Sequence, residues 1–450
     1  MNDILTKKQY KCSVNTEAVT KGLNPDVEMK DSGTEWIGQI PNDWGLNRIK
    51  YVFNLVNGYT FQSSLYAYEG IRVIRISDVE DDFLSDKDVR FYPESFRSQI
   101  GEAILKEGDI LITLTGYLGK CYLVSDSDVN MGLNQRVGAM RAKRQDVCLK
   151  YARRLMQCEP FRAEMELSSN GSAQLNMSTE WLKNNTIPFP PLSKQRRIAD
   201  FLDAKCAEID ALTADIEKQI ETLEQYKRSV ITEAVTKGLN PDAEMKDSGV
   251  QWIGMMPSNW NCIRGKYILR LLSKPVKVDD GVITCFRDGE VTLRSNRREE
   301  GFTMADKEIG YQGIDVGDLV VHGMDGFAGA IGISDSRGKA SPVLNVLDSE
   351  QNKRYLMYYL RSMAYSDVFT ALASGIRVRS CDLRWNKLAE LLYPVPSLTE
   401  QSKIVEYIDR KLEETNYIIV DKKKHLDALA DYKKSLIYEY VTGKKEVPES

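Results

Sequence analysis

Residues Gln225–Trp260 read QYKRSVITEAVTKGLNPDAEMKDSGVQWIGMMPSNW, and residues Gln9–Trp44 read QYKCSVNTEAVTKGLNPDVEMKDSGTEWIGQIPNDW. The offset is 216 with no gap, and 27 of the 36 positions are identical. A repeat this literal marks a duplicated architecture and has to be read before any local signal. A second echo runs at offset 206. Pro188–Asp203 (PFPPLSKQRRIADFLD) pairs with Pro394–Asp409 (PVPSLTEQSKIVEYID) through Pro188/Pro394, Gln195/Gln401, Ile198/Ile404 and Asp203/Asp409. Between the repeats the sequences diverge. The chain therefore divides into a conserved N-terminal segment (1–44), a variable domain (45–187), a conserved centre (188–260), a second variable domain (261–393) and a conserved C-terminal segment (394–450).

The conserved parts predict long helices. From Leu192 to about Thr236 there is neither Gly nor Pro, and Leu202, Ile209, Ile216, Leu223 and Val230 recur every seven residues, with Ile198, Leu212 and Tyr226 on the same face. Gly238 and Pro241 stop the helix. About 45 helical residues at ~1.5 Å each span roughly 68 Å. A second stripe, Val405, Leu412, Ile419 and Leu426, joined by Ile404, Ile408, Leu429 and Ile437, predicts a helix from about Leu398 to Thr442. Two stripes of matched length in a duplicated chain predict an antiparallel coiled coil.

The ends sharpen the topology. YKKSLIYEYVTGKK, at the C-terminus, is a third partial copy of YKRSVITEAVTKG that stops before GLNPD, and residues 9–44 supply what is missing. A circular pseudo-two-fold arrangement would bring the two ends together. The fold class expected is thus α+β, with two pseudo-repeated mixed α/β domains joined by two long antiparallel coiled-coil helices. Within the variable domains, Arg72–Val79, Ile110–Leu114, Leu319–Val321 and Ala330–Ile333 read as strands, and Tyr151–Leu167 and Tyr355–Leu372 as helical patterns. GDILITLTGYLG at 108–119 aligns with GDLVVHGMDGFAG at 317–329, so the two domains share a frame and differ in their loops.

Composition sets limits. With 42% hydrophobic and 28% charged residues the chain reads as an ordinary soluble protein, and 450 residues exceed one core. No apolar run reaches the ~18 residues of a membrane span. Eight scattered cysteines without a CxxC pair point to reduced thiols and a cytoplasmic location. Only two histidines, His322 and His425, make a histidine-based metal or triad site improbable. Net charge is −4, with the variable domains close to neutral, so charge permits nucleic-acid binding without demonstrating it.

No motif for catalysis emerges. Gly332–Lys339 is one residue too long for a phosphate loop and Ala340 replaces its Ser or Thr. The Asp26/Glu28/Lys30 set, repeated as Asp242/Glu244/Lys246, reads as a polar turn after proline and not as a nuclease centre. Trp36, Trp44, Trp252 and Trp260 fall in the constant segments, which favours packing between helix and domain, or a partner surface, over base stacking. The chain is expected to be no enzyme and to hold neither cofactor nor metal. Side chains able to take phosphates or purine edges cluster in Gly-rich loops. In the first domain these are Tyr117, Lys120, Asn134, Gln135, Arg136, Lys143, Arg144, Asn170 and Gln174; in the second they are Arg294, Arg297, Arg298, Arg377, Arg379, Arg384 and Lys387.

The constant motif TEAVTKGLNP…KDSG…WIG…P..W, with PFPPLSKQRRIADFLD leading into a long helix, resembles the DNA-specificity subunit of type I restriction–modification systems over essentially the whole chain. RVIRISDV (72–79), GLNQRVGAMRA (132–142) and NGSAQLNMSTEWL (170–182) add to the resemblance, while SGIRVRSCDLRWNKL (374–388) departs from it. The resemblance implies that each variable domain is a target-recognition domain reading one half of a bipartite, asymmetric site in double-stranded DNA. It further implies that the helices space the domains and bind two modification (methyltransferase) subunits, through which restriction/translocase subunits join. The alternative is a protein-binding adapter without DNA specificity.

Overall fold

The computed structural model describes residues 28–169, 176–297, 309–371 and 383–448. It forms two compact units, Met1–Asp215 with His425–Ser450, and Ile216–Lys424.

The first unit opens with a hairpin of β1 (Met29–Asp31) and β2 (Gln39–Pro41). The Asp31 carboxylate accepts from Gly33 N at 2.9 Å, and Gly33 and Gly38 take φ of +67° and +68°, a region in which only glycine is unstrained. β3 (Gly45–Arg48) and β4 (Phe53–Asn57) follow, then β5 (Ile71–Ile74), β6 (Arg90–Tyr92), β7 (Ile110–Thr113), β8 (Cys121–Leu123), β9 (Gly132–Leu133) and β10 (Val137–Ala142). The main antiparallel sheet has the order β4-β10-β7-β8, and a smaller sheet the order β6-β5-β9. β5 stops at Ile74, short of the expected Arg72–Val79. The Asp78 carboxylate accepts from Arg75 N at 2.8 Å and turns the chain out of the strand. The single expected pattern over 151–167 is two helices, α1 (Leu149–Met156) and α2 (Glu159–Ser168), separated where Pro160 starts the second. α3 (Thr179–Asn184) and β11 (Thr186–Phe189), which pairs with β3, lead into α4 (Leu192–Lys237).

The second unit repeats the plan. Its hairpin, β12 (Met245–Asp247) with β13 (Met255–Pro257), reproduces the first one's bonds: Gly249 N donates to Asp247 Oδ1 at 3.0 Å, and Gly249 and Gly254 have φ of +68° and +66°. Literal sequence repetition is thus matched by literal hydrogen-bond repetition. The remaining strands are β14 (Asn261–Arg264), β15 (Arg270–Leu271), β16 (Ile283–Cys285), β17 (Val291–Leu293), β18 (Gln312–Ile314), β19 (Leu319–His322), β20 (Ile331–Ile333), β21 (Gly338–Ala340), β22 (Leu344–Asp348) and β23 (Leu392–Val395). The main sheet has the order β15-β22-β19-β20, the same antiparallel plan as β4-β10-β7-β8. Besides a single turn at Val368–Ala371, the helices are α5 (Lys353–Tyr365), α6 (Trp385–Glu390) and α7 (Leu398–Val441). The helical pattern expected over 355–372 breaks at Asp367, whose φ is +53°.

The two long helices run antiparallel within each unit. In the first, Ile198, Leu202, Cys206 and Ile209 share one core with Leu436, Ile437, Tyr440 and Val441; Lys433 Nζ donates to Asp210 at 2.6 Å. In the second, Ile231, Ala234 and Val235 share a core with Ile404, Val405 and Ile408. Leu202, Ile209, Ile216, Val230, Val405 and Ile419 are buried, and Leu223, Leu412 and Leu426 are half-buried. The expected face is displaced on one point. Leu212 and Tyr226 are 48% and 45% exposed, and the inner positions are the half-buried Thr213 and Ile220. Steps of four after Ile209 and Ile216 continue the a/d seam, whereas steps of three after Ile209 and Leu223 leave it.

The repeated glutamines pin each domain to its helix. Gln195, fully buried, accepts from Cys148 N at 2.8 Å and donates to Asp146 O and Pro190 O; Gln401 accepts from Asn352 N at 2.9 Å and donates to Gln351 Oε1 and Pro396 O. Tyr151 donates to Val441 O at 2.8 Å and Tyr355 to Val235 O at 3.1 Å, so each closes the end of a long helix. In the first unit Lys444, just past α7, donates to Ile37 O at 2.7 Å. The described part of the N-terminal segment therefore seats on the C-terminal helix, as the severed repeat requires. Residues 9–27 of the first copy lie outside the described residues.

Candidate nucleic-acid interface

At one end of the first unit's main sheet, β4 and β7 finish and β8 and β10 begin, and four loops converge there. Thr113, the last residue of β7, is buried. Its hydroxyl donates to Tyr117 O at 2.6 Å and accepts from Lys120 N at 3.0 Å, which ties the 114–120 turn into a rigid loop. Tyr117 stands at its tip, 83% exposed. Beside it, Asn134 N donates to Ile74 O and Gln135 N to Tyr59 O, both at 3.0 Å, and Leu114 N donates to Arg136 O at 3.1 Å. This crossing needs Gly58, since a Cβ there would lie 2.0 Å from Asn134 O. Asn176 and Met177 dock from the other side, with Thr115 Oγ1 donating to Asn176 Oδ1 at 2.9 Å and Met177 N to Leu114 O at 2.9 Å.

The sheet end therefore presents Tyr117, Gln135 and Arg136 outward on a braced backbone. Gln135 Oε1 accepts from Thr60 at 2.9 Å, and Arg136 is exposed with no acidic partner among the described residues. Asn134 is turned to structure, its carboxamide oxygen 3.5 Å from Arg136 N. Lys120 Nζ lies 5.6 Å from the Tyr117 ring centroid and is bound to Glu80 at 2.6 Å, so its charge is already matched.

Lys143 and Arg144 do not join this group. In the β10–β4 register Gly138 faces Asn57 while Ala142 faces Phe53, so both lie beyond the opposite end of the strand. Lys143 Nζ donates to Lys50 O at 2.9 Å, and Arg144 clasps Asp146 with its guanidinium 4.8 Å from the Phe189 ring centroid. Asn170 and Gln174 lie outside the described residues.

The equivalent end of the second unit is built on the same plan with different atoms. His322 ends β19 where Thr113 ends β7, and its Nδ1 accepts from Met324 N at 3.2 Å and Asp325 N at 2.9 Å. Burial lowers its pKa, with Asp325 opposing and Arg287 adding to the shift. Leu383 N donates to Gly323 O at 2.8 Å, the counterpart of Met177 on Leu114. Arg384, adjacent to that contact, is exposed here, and Lys387 is exposed one turn into α6. Arg294 Nε donates to Thr284 Oγ1 at 3.2 Å. Arg297 pairs with Asp288 and Glu290 at 2.8 and 3.0 Å and stacks 4.2 Å from the Phe286 ring centroid, which makes it a brace for the β16–β17 turn. Arg298, Arg377 and Arg379 lie outside the described residues. Sequence reading passed over Arg287, joined to Asp325 at 2.9 Å beside the 323–329 loop, and over Met324, 53% exposed at its tip. The Tyr59–Thr60 crossing was also missed, although Asn57-Gly58 is a turn signal.

Among the described residues no group of three or more His, Cys, Asp or Glu side chains could hold a metal ion, and no helix is long and apolar enough to cross a membrane. Lys246, of the second acidic turn, is the central residue of β12; Asp26 lies outside the described residues. The tryptophans pack: Trp36 Nε1 donates to Asn185 Oδ1 at 3.3 Å, Trp252 Nε1 to Tyr359 Oη at 3.1 Å and Trp260 Nε1 to Glu400 Oε1 at 3.0 Å. Burial pushes the Cys121, Cys158 and Cys285 thiols up to about 12, which leaves them protonated and poor nucleophiles.

Residues 41–222 match the family model of the type I restriction modification DNA specificity domain. The chain is 28% identical over 221 residues to the type I restriction enzyme MjaVIII specificity subunit of Methanocaldococcus jannaschii, covering 48% of this chain and 50% of that one. The match thus spans about half the length of that relative. To the EcoBI specificity subunit of Escherichia coli it is 24% identical over 415 residues, covering 85% and 82%. A chain in a solved structure of the type I R-M system superposes with a TM-score of 0.66 at 15% identity, over 90% of this chain and 99% of that one, which shows the shared fold.

Proposed function

We propose that this chain, whose residues 41–222 match the family model of the type I restriction modification DNA specificity domain, recognises double-stranded DNA as the specificity subunit of a type I restriction–modification complex. Each variable domain reads one half of a bipartite target with the loop end of its main sheet. In the first, Tyr117, Gln135 and Arg136 approach the groove; in the second, Arg384 and Lys387 do so beside the loop carrying Met324. Arginine and glutamine can make two-pronged contacts with guanine and adenine edges respectively, and an apolar tip suits a thymine methyl. Asn170, Gln174, Arg298, Arg377 and Arg379 belong to the same proposal on sequence grounds.

The observation that carries this reading is the pairing of sameness and difference. Sheet order, glutamine pins and the docking of Met177 and Leu383 are duplicated, while the side chains offered at the two loop ends are not. A frame kept constant under two different presenting surfaces suits two different half-sites. The long helices join the domains and dock two modification subunits, which bring in the restriction/translocase subunits. The chain itself performs no chemistry and needs no cofactor.

Binding of the purified complex to a duplex carrying its methylation site should weaken steeply with salt. For Z phosphates neutralised the slope of log K against log salt is about −0.9Z. An affinity that ignores salt, or that is equal for any duplex, would support the adapter reading instead.

A further inference from the structure

The duplicated frame differs around its paired tryptophans: one indole N–H has a carboxylate acceptor, and the other has no acceptor among the described residues. In the second unit Trp260, fully buried, lies over Gly238 and Pro257 and donates from Nε1 to the Glu400 carboxylate at 3.0 Å. In the first unit Trp44 lies over Gly443 and Pro41 in the same way, and is 4% exposed. The position equivalent to Glu400, at offset 206, is Lys194. Its ammonium turns away to Asp43 at 2.7 Å. Among the described residues Trp44 Nε1 has no protein hydrogen-bond partner and is open to solvent.

A cavity of about 50 Å³ lies at this spot, lined by Trp44, Met29, Pro41, Ile198 and the 443–447 backbone turn, with Lys194 and Arg197 at its edge. A water requires only ~10–15 Å³ on this measure, so there is room for a group of several heavy atoms. Arg197 donates to Val447 O at 3.2 Å and has no carboxylate partner among the described residues. Of the other charged residues lining the cavity, Lys445 is paired with Glu439 at 2.6 Å, Lys444 is directed to Ile37 O, and Glu446 is exposed. We propose that this cavity is a carboxylate-binding site, in which a small free carboxylate accepts from the Trp44 indole and Arg197 and so replaces the Glu400 side chain of the other unit. A guanidinium and an indole N–H that line one cavity can each donate to a carboxylate oxygen, and the sister site already holds that group.

The test is a ¹⁹F NMR titration of the full chain labelled with 5-fluorotryptophan, with Trp44→Phe and Trp260→Phe to assign the two resonances. Acetate is exchanged for chloride at constant potassium concentration, up to 100 mM. The Trp44 resonance should move and saturate, with a Kd in the millimolar range, while that of Trp260 stays fixed. Lys194→Glu, which installs the sister unit's residue, should shift the Trp44 resonance without acetate and remove the titration. Arg197→Gln should keep the fold and weaken acetate binding about tenfold. A Trp44 resonance that acetate does not move in the wild-type chain would overturn the proposal. So would a Lys194→Glu chain that still responds as the wild type does.

Discussion

Arg136 and Lys120 stand at the same sheet end and have the same charge, yet they are used differently. Lys120 is held by Glu80, 40 residues earlier in the chain, while Arg136 meets no acid among the described residues. Such a distinction is invisible in the sequence, because the loop motif GLNQRVGAM shows that Arg136 is available but nothing near Lys120 announces Glu80. The same holds for Arg297, whose partners Asp288 and Glu290 meet it only because the β16–β17 turn folds back. Arg136→Ala is expected to weaken duplex binding and to reduce the salt slope by about 1, the signature of one lost phosphate contact. If Arg136 reads a base edge, the slope will hold and one position of the target will relax. His322 belongs to this scale as well. Its neutral Nδ1 holds the 323–325 turn, and burial keeps its pKa below the ordinary 6.5. A depressed histidine pKa means the unfolded chain takes up the proton first, so this stabilisation is complete above pH 6.5 and lost as pH falls below it. Thermal melts from pH 8 to 5 should show the wild type losing stability more steeply than His322→Gln; parallel curves would refute the role.

At the scale of elements, periodicity read well and boundaries read less well. Both long helices fall within a residue or two of where the heptads place them, since 45 residues without Gly or Pro leave no other regular structure. The face was harder. Leu212 and Tyr226 are apolar and sit three residues after seam positions, but the seam takes Thr213 and Ile220, and hydrophobicity alone chose the wrong neighbour. Strand ends were misjudged for a similar reason: in RVIRISDV the alternation continues to Val79, whereas the Asp78 carboxylate caps the backbone and ends β5 at Ile74. Leu212→Lys should therefore leave stability within about 0.5 kcal/mol of wild type. Ile216→Ala removes a buried branched side chain and should cost about 2–4 kcal/mol. Urea unfolding distinguishes the two, and equal losses would mean the seam is assigned wrongly.

Over the whole chain, the duplication was the most legible feature. It foretold two units of one plan, and the matching sheet orders, hairpins and buried glutamines are its physical content. What remained illegible is the chemistry at the loop ends, where divergence erases the template and long-range packing decides which side chains stay free. The central claim is modular readout. Residues 45–187 should be replaced by the corresponding domain of a relative, the chain expressed with its modification subunits, and the methylated sites mapped by sequencing the host genome. The account predicts new sites in which one half of the target changes while the other half and the spacing between them persist. A change in both halves, or no change in either, would contradict it.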